Sequence, residues 1–156
     1  MNKFSKVRYT GLLMLLFGCA NSVVAAEQGT VTAVFSYKGC PSSYDQIGIR
    51  AQADFGFSQI NLAKGQVGWG MSADKLWLNC GNTKIVTTKY NKLLGNDDVM
   101  RHVVGSASYK YWDNGVQRKS KSFSVNFADY ADGTTCYFEF SGGYHTHLEA
   151  KARCEK

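Results

Sequence analysis

The stretch that decides the fold is residues 103–127, VVGSASYKYWDNGVQRKSKSFSVNF. Asn114-Gly115 at its centre readily adopts the positive φ angles that a two-residue hairpin turn requires. We therefore expect residues 103–112 to form a strand that pairs with residues 116–127. The segment predicts an antiparallel β-hairpin.

Alternation of apolar and polar side chains defines the faces of this hairpin. In its second half Phe123, Val125 and Phe127 point one way, while serine and asparagine point the other. Similar alternation recurs in residues 30–38 and 135–140, and glycine-rich turns separate the apolar stretches. The sequence therefore predicts an all-β fold, an antiparallel β-sandwich or flattened barrel of about seven or eight strands.

The first 26 residues carry the pattern of a cleaved export signal. A basic start precedes an apolar run, residues 11–17, that is too short to span a bilayer, and Val24-Ala25-Ala26 is a small-residue cleavage site. We expect residues 1–26 to be removed and residues 27–156 to form a single β-domain. The mature protein is then periplasmic or secreted.

Removing this signal changes the charge argument. Lys3, Lys6 and Arg8 are its charged residues, so their loss lowers the formal net charge from +6 to +3. A mildly basic surface of mixed charge lacks the strong positive field of a dedicated nucleic-acid binder. We expect no nucleic-acid partner.

A second interpretation of the same region concerns Cys19. Leu16-Phe17-Gly18-Cys19 resembles the lipobox of bacterial lipoproteins, in which the cysteine becomes the lipidated first residue. Cleavage after Ala26 uses the better small-residue pair, and Phe17 fits a lipobox poorly, so plain export is favoured. A membrane-anchored lipoprotein tethered through Cys19 is the alternative, and membrane contact is expected only in that case.

Four cysteines lie beyond the signal, and an even set in a small exported domain predicts two disulfides. They are Cys40, Cys80, Cys136 and Cys154. Their spacing does not decide the connectivity. A turn at Gly142-Gly143 would set Cys136 opposite Glu149 and leave Cys154 about 17 Å away, so the Cys136–Cys154 pairing is disfavoured.

A candidate metal site lies near the C-terminus. His145, His147 and Glu149 alternate on the last predicted strand and would project from one face, where two imidazoles and a carboxylate can ligate a transition metal. The favoured interpretation is a solvent-exposed face, because Lys151 and Arg153 continue the same polar series. We expect no cofactor.

A candidate binding surface lies beside the tip of the central hairpin. Its aromatic and basic residues are Tyr109, Tyr111, Trp112, Arg118 and Lys119. Such a surface suits a protein partner or a glycan. The alternative is that cross-strand aromatic pairs only stabilise the hairpin.

Signals of catalysis are weak. No serine lies in a Gly-x-Ser-x-Gly elbow, and the four cysteines are expected to be oxidised, which favours a non-catalytic protein. Paired-carboxylate hydrolysis is harder to exclude, because several acidic residues lie in predicted loops.

These observations rank three hypotheses for the function. The first is an exported binding domain that recognises a protein, as an inhibitor or immunity factor against an envelope-directed enzyme or toxin. It would act by occlusion, with the hairpin tip around residues 111–119 or the loop at residues 42–46 filling the target's cleft. The second is a glycan-binding lectin or adhesin subunit, and the third is an envelope metal-binding protein or small hydrolase.

Overall fold

The computed structural model describes residues 27–55, 58–68, 74–92, 100–110, 117–127, 131–143 and 146–156, and within them the chain is all-β. The strands are β1 Gln28–Tyr37, β2 Gln46–Phe55, β3 Ser58–Asn61, β4 Gln66–Gly68, β5 Leu76–Asn79, β6 Thr83–Asn91, β7 His102–Lys110, β8 Gln117–Asn126, β9 Thr134–Ser141 and β10 Glu149–Glu155. Two packed sheets form a sandwich, which confirms the predicted fold class. The predicted export signal, with Cys19, lies outside the described residues.

The first sheet has four strands in the order β10-β9-β1-β6. Strand β1 is one of its two inner strands, and four alternate residues of β1 are buried: Val31, Ala33, Phe35 and Tyr37. Strand β1 pairs antiparallel with β6 but parallel with β9, so the expectation of a purely antiparallel fold fails at this one pair. Long stretches of chain separate β1 from β9, and a connection of that length permits parallel pairing.

The second sheet has six strands. Its main path is β4-β3-β2-β7-β8, and β5 pairs with the first half of β2 beyond the reach of β3. The described strands exceed the predicted seven or eight because β3, β4 and β5 are only four, three and four residues long.

The predicted central hairpin is confirmed as β7 and β8, which pair antiparallel. Phe123 and Val125 pack against the core, whereas Ser122 and Ser124 are exposed, so the predicted faces are also correct. The turn at Asn114-Gly115 lies outside the described residues.

Aromatic rings join the two sheets at the centre of the sandwich. Phe35 and Phe138 stack within the first sheet with ring centroids 5.0 Å apart. Phe123 of the second sheet lies 5.1 Å from Phe138, measured between ring centroids. Burial of these rings supplies much of the apolar contact between the sheets.

The disulfides are Cys40–Cys80 and Cys136–Cys154. Two disulfides were predicted, but the prediction against the Cys136–Cys154 pairing was wrong. Strand β9 ends at Ser141 and meets Glu149 there, so Cys136 lies directly opposite Cys154 in the β9–β10 ladder. The connection is residues 142–148 rather than a tight turn.

The two glycines that predicted a tight turn are instead packed against the end of β1. The Tyr37 hydroxyl donates to the Gly142 carbonyl at 2.7 Å, and the Gly142 amide donates to the Gly39 carbonyl at 3.2 Å. A Cβ atom on Gly143 would lie 2.7 Å from Asp45 Oδ2. Glycine therefore permits close packing at both positions, and Gly142 also adopts a positive φ of 80°.

The central aromatic packing gives the first prediction. Phe138→Ala should lower the free energy of unfolding by about 3–5 kcal/mol, because it removes a buried ring that touches both sheets and leaves a cavity. Urea denaturation with the disulfides intact measures this loss. Ile85→Ala is the matched control, because Ile85 is exposed on the outer face of the first sheet and its loss should stay within about 0.5 kcal/mol. Equal losses in the two variants would contradict this account of the core.

Candidate functional site

The predicted hairpin-tip residues fall into two groups. Tyr111 and Trp112 lie outside the described residues. Arg118 and Lys119 belong to β8, where Lys119 pairs with Tyr109 of β7. The role of these residues in binding remains a prediction.

Tyr109 lies in the core rather than on the surface. Its side chain is 3% exposed, and its hydroxyl donates a hydrogen bond to Asp45 Oδ1. Strand parity explains this, because Tyr109 shares the inward face of β7 with Val103 and Ala107. The expectation of an exposed ring at this position is wrong.

The predicted metal ligands do not share one strand. Strand β10 begins at Glu149, and His147 precedes it in the connecting segment; both side chains are exposed. His145 lies outside the described residues. Within the described part of the chain, no group of three His, Cys, Asp or Glu residues is placed to hold a metal ion. The metal site therefore stays a prediction.

The loop that leads into β2 presents a highly exposed aromatic ring. Tyr44 is 82% exposed. The Asp45 amide donates to the Ser42 carbonyl at 3.1 Å, and the Tyr44 amide donates to Ser42 Oγ at 3.3 Å. These bonds close a tight turn, which limits the conformations that carry the ring.

A disulfide and a backbone hydrogen bond fasten this loop to the second sheet. Cys40, two residues before Ser42, is bonded to Cys80 at the end of β5. The Cys80 amide donates to the Asp45 carbonyl at 2.8 Å. Both ends of the turn are therefore attached to the same rigid corner.

Asp45 is the buried root of the loop. Its residue is 6% exposed, and Oδ1 accepts the hydrogen bond from the Tyr109 hydroxyl. Among the described residues Oδ2 has no hydrogen-bond partner. Burial, and in second place the charge of Asp45, raise the pKa of Tyr37, so the Tyr37 hydroxyl stays protonated and donates to Gly142. The carboxylate joins the turn to β7, and Gly143 packs closely against its other oxygen.

A second exposed aromatic ring lies beside the loop, on β5. Leu76 and Leu78 pack against the core, so Trp77 points to the outer face of the second sheet and is 42% exposed. Trp77 pairs with Gly48 of β2. Because glycine has no side chain, it leaves room for the indole on the surface.

Polar side chains connect the loop with β5. Gln46 Nε2 donates to Asn79 Oδ1 at 2.9 Å, where β2 and β5 pair. We call Tyr44, Gln46, Trp77 and Asn79 the aromatic surface. It combines two exposed rings with amide groups on a corner that a disulfide stabilises.

Lys75 borders the aromatic surface in a fixed position. Its Nζ donates to Ser108 Oγ at 2.7 Å and lies 5.7 Å from the centroid of the Trp77 ring. Ser108 Oγ in turn donates to the Gly48 carbonyl at 3.3 Å. Burial, and in second place the charge of Arg50, lower the pKa of Lys75.

A serine hydroxyl this close to a lysine amine has the spacing of a Ser–Lys nucleophile pair. Ser108, however, is only 3% exposed, and its hydroxyl proton is directed to the Gly48 carbonyl. A substrate carbonyl could not approach Oγ in this arrangement. The pair is suited to positioning the lysine, and we assign it no reaction.

Sequence reasoning included the loop at residues 42–46 but missed Trp77 and Lys75. A signal for Trp77 existed, because Leu76-Trp77-Leu78 alternates and two buried leucines force the indole outward. The contact between Lys75 and Ser108 depends on how β5 and β7 both align with β2. No local pattern contains that alignment.

The outer face of the first sheet has a different character. The Arg153 guanidinium stacks on Tyr137 at 4.0 Å from the ring centroid. Val34 of β1 lies between Tyr137 and the exposed Ile85. A shallow groove on this side is lined by Ser36, Lys38, Glu139, Phe140, Ser141 and Lys151. This face is remote from the aromatic surface and supplies control positions.

Comparison with known proteins adds little. No protein-family model matches the chain, and no curated protein matches it in sequence. One solved structure, of a candidate cell adhesion protein from Bacteroides ovatus, is similar with a TM-score of 0.36 and 8% identity. The similarity covers 83% of this chain and 45% of that one, so this chain spans less than half of that protein's length. Similarity this low supports no inference about function.

Two further findings bear on location. The two disulfides indicate an oxidising compartment outside the cytoplasm. Within the ranges described above, no helix is long and apolar enough to cross a membrane.

The buried root of the loop gives the second prediction. Tyr109→Phe removes the hydroxyl that donates to Asp45 and leaves the buried carboxylate without that partner, so the free energy of unfolding should fall by about 1–3 kcal/mol. Urea denaturation at neutral pH measures the change. Tyr44→Phe, which alters an exposed hydroxyl on the same loop, should change stability by less than about 0.5 kcal/mol. If Tyr109→Phe leaves the free energy of unfolding unchanged, the hydrogen bond does not support the loop.

Proposed function

We propose that this protein is an exported, non-catalytic binding domain that recognises another protein, as an inhibitor or immunity factor against an envelope-directed enzyme or toxin. One observation carries the proposal: Tyr44 is 82% exposed on a turn that is fastened by the Cys40–Cys80 disulfide and rooted by buried Asp45. A monomeric domain gains no stability from such a ring. Its placement is that of a contact residue.

Rigidity supports this proposal. Binding costs free energy when flexible loops become ordered, and a turn closed by hydrogen bonds and a disulfide has little freedom to lose. Tyrosine and tryptophan are also enriched among the residues that dominate binding energy at protein interfaces. Tyr44 and Trp77 therefore fit the centre of an interface, with Gln46 and Asn79 supplying hydrogen bonds.

The proposed mechanism is occlusion of a cleft in the target. Residues 42–44 of the turn are exposed where the chain enters β2, so they can enter a concave site while the adjacent β5 face covers the rim. The hairpin tip, with Tyr111, Trp112, Arg118 and Lys119, is proposed as a second contact. Variants of the two regions separate their contributions.

The proposed location follows from the disulfides and the expected signal. Residues 1–26 would direct export, and residues 27–156 would act as one domain in the periplasm or outside the cell. Lipidation at Cys19 is the alternative and would tether the domain to a membrane. Both arrangements expose the aromatic surface to an extracytoplasmic partner.

A glycan-binding role, as a lectin or adhesin subunit, is the second candidate. Trp77 favours it, because an indole that is 42% exposed on the outer face of a sheet can stack against a sugar ring. The more exposed tyrosine on the fastened turn favours a protein partner more. The two roles respond differently to competition by free sugars.

The third prediction concerns partner capture. Immobilised protein should retain one specific protein from lysates of the cell envelope or of competitor cells, and free sugars should not elute it. Tyr44→Ala and Trp77→Ala should each weaken capture by at least about tenfold, because interface aromatics often contribute 2 kcal/mol or more. Quantitative pull-down measures retention, and thermal melting confirms that each variant is folded.

Two controls make this test decisive. Ile85→Ala removes an exposed apolar side chain from the opposite face and should leave capture unchanged. Trp112→Ala combined with Arg118→Ala tests the hairpin tip. If only that double variant loses capture, the aromatic surface is not the contact region.

Two other results would favour the alternative functions. Elution of the captured material by simple sugars would indicate that the partner is a glycan. Stoichiometric metal in protein purified without a histidine tag would favour the metal-binding alternative.

A further inference from the structure

Two positive charges lie together beside the aromatic surface. Strands β2 and β5 pair antiparallel with Ile49 opposite Leu76, so the same register places Arg50 opposite Lys75. Both residues follow the parity of Trp77, which faces the outer side of the second sheet. The ion pairs seen among the described residues join Lys92 to Glu27 and Asp132, and Arg153 to Glu155, and none of them includes Lys75 or Arg50. Like charges placed together raise the free energy of the unbound protein.

The lysine is held in place rather than free in solvent. Its Nζ donates to Ser108 Oγ at 2.7 Å, and its Cδ lies 2.7 Å from the position that a Cβ on Gly48 would occupy. Any side chain at position 48 would therefore displace it. The Trp77 ring flanks the amine at 5.7 Å from the ring centroid. The side-chain entropy that a flexible lysine loses on binding is already lost here.

We propose that Lys75 and Arg50, beside Trp77, form a binding site for a carboxylate side chain of an acidic partner protein. This inference rests on the proposed function and specifies the chemistry of its partner. A carboxylate between the two cations removes their repulsion and accepts charge-assisted hydrogen bonds from both. The indole beside it accommodates the aliphatic part of a glutamate or aspartate.

The surroundings favour a protein acid over an acidic sugar. Lys75 already lies against the Trp77 ring, which reduces the ring face that a sugar could stack on. Tyr44 precedes Gln46, which pairs with Asn79 at the end of β5 opposite to Lys75. An occupant that contacts both Tyr44 and Lys75 must therefore extend along β5. Protein interfaces of this kind combine aromatic anchors with charged groups at their rim.

The site is tested with a defined probe, an N-acetylated tetraglutamate peptide, followed by ¹H–¹⁵N NMR at low salt. We expect shifts to cluster in residues 48–50, 75–77 and 106–108, and binding to weaken as salt is raised. Lys75→Met and Arg50→Gln should each weaken binding at least tenfold. Lys89→Met is the matched control, because Lys89 is exposed on the other sheet and its loss should change affinity less than twofold.

Three outcomes would overturn the assignment. Shifts spread evenly over all surface lysines would indicate nonspecific attraction of an anion. If Lys75→Met and Arg50→Gln both bind the peptide as tightly as the unmodified protein, and melting temperatures confirm that they are folded, the proposed carboxylate site is wrong. Tighter binding of a tetragalacturonate probe than of tetraglutamate would assign the site to an acidic glycan.

The failure of this site is distinguishable from failure of the proposed function. Tyr44→Ala should lose the captured partner but retain tetraglutamate binding, because Tyr44 is outside the carboxylate site. Suppose that Lys75→Met and Arg50→Gln retain the captured partner at full affinity while Tyr44→Ala does not. The proposed protein-binding function is then supported, and the proposal of an acidic partner is wrong. If none of these variants affects capture, the aromatic surface itself is wrong.

Discussion

The buried carboxylate of Asp45 is the constraint on which the candidate surface depends. A carboxylate taken out of water destabilises the fold unless hydrogen-bond donors compensate it. The Tyr109 hydroxyl donates to it from the neighbouring strand β7, while the backbone of Asp45 bonds to Ser42 and Cys80. The turn, β5 and β7 are thereby fixed relative to one another. Tyr44 is presented outward because its neighbour is directed inward.

Local alternation predicted most of the fold. Strands β1, β7, β8 and β9 and their faces follow from side-chain parity, which each segment of sequence contains by itself. The parallel pairing of β1 with β9 and the alignment that joins Cys136 to Cys154 do not. Both depend on where distant segments dock, and the glycines at 142–143 resemble a turn although they serve close packing.

The candidate site also combines features that local sequence predicts with features that depend on the assembled sheet. The loop at residues 42–46 was recognisable from its turn residues, and its aromatic ring from the single tyrosine within them. Tyr109 is buried because it shares the inward parity of Ala107, although its aromatic and basic neighbours in sequence resemble a binding surface. The contact between Lys75 and Ser108 joins side chains on two different neighbours of β2, so only the assembled sheet brings them together.

The position of β1 also determines when the first sheet can be completed. The pair Val31 and Thr134 joins the beginning of the described chain to a segment synthesised about a hundred residues later. A nascent chain can form the pair with β6 earlier, yet the other edge of β1 then remains an open template for any passing strand. Completion of this sheet must wait for β9 to emerge. A chain that folds in this order must pair β9 with β1 before an unrelated strand occupies the vacant edge.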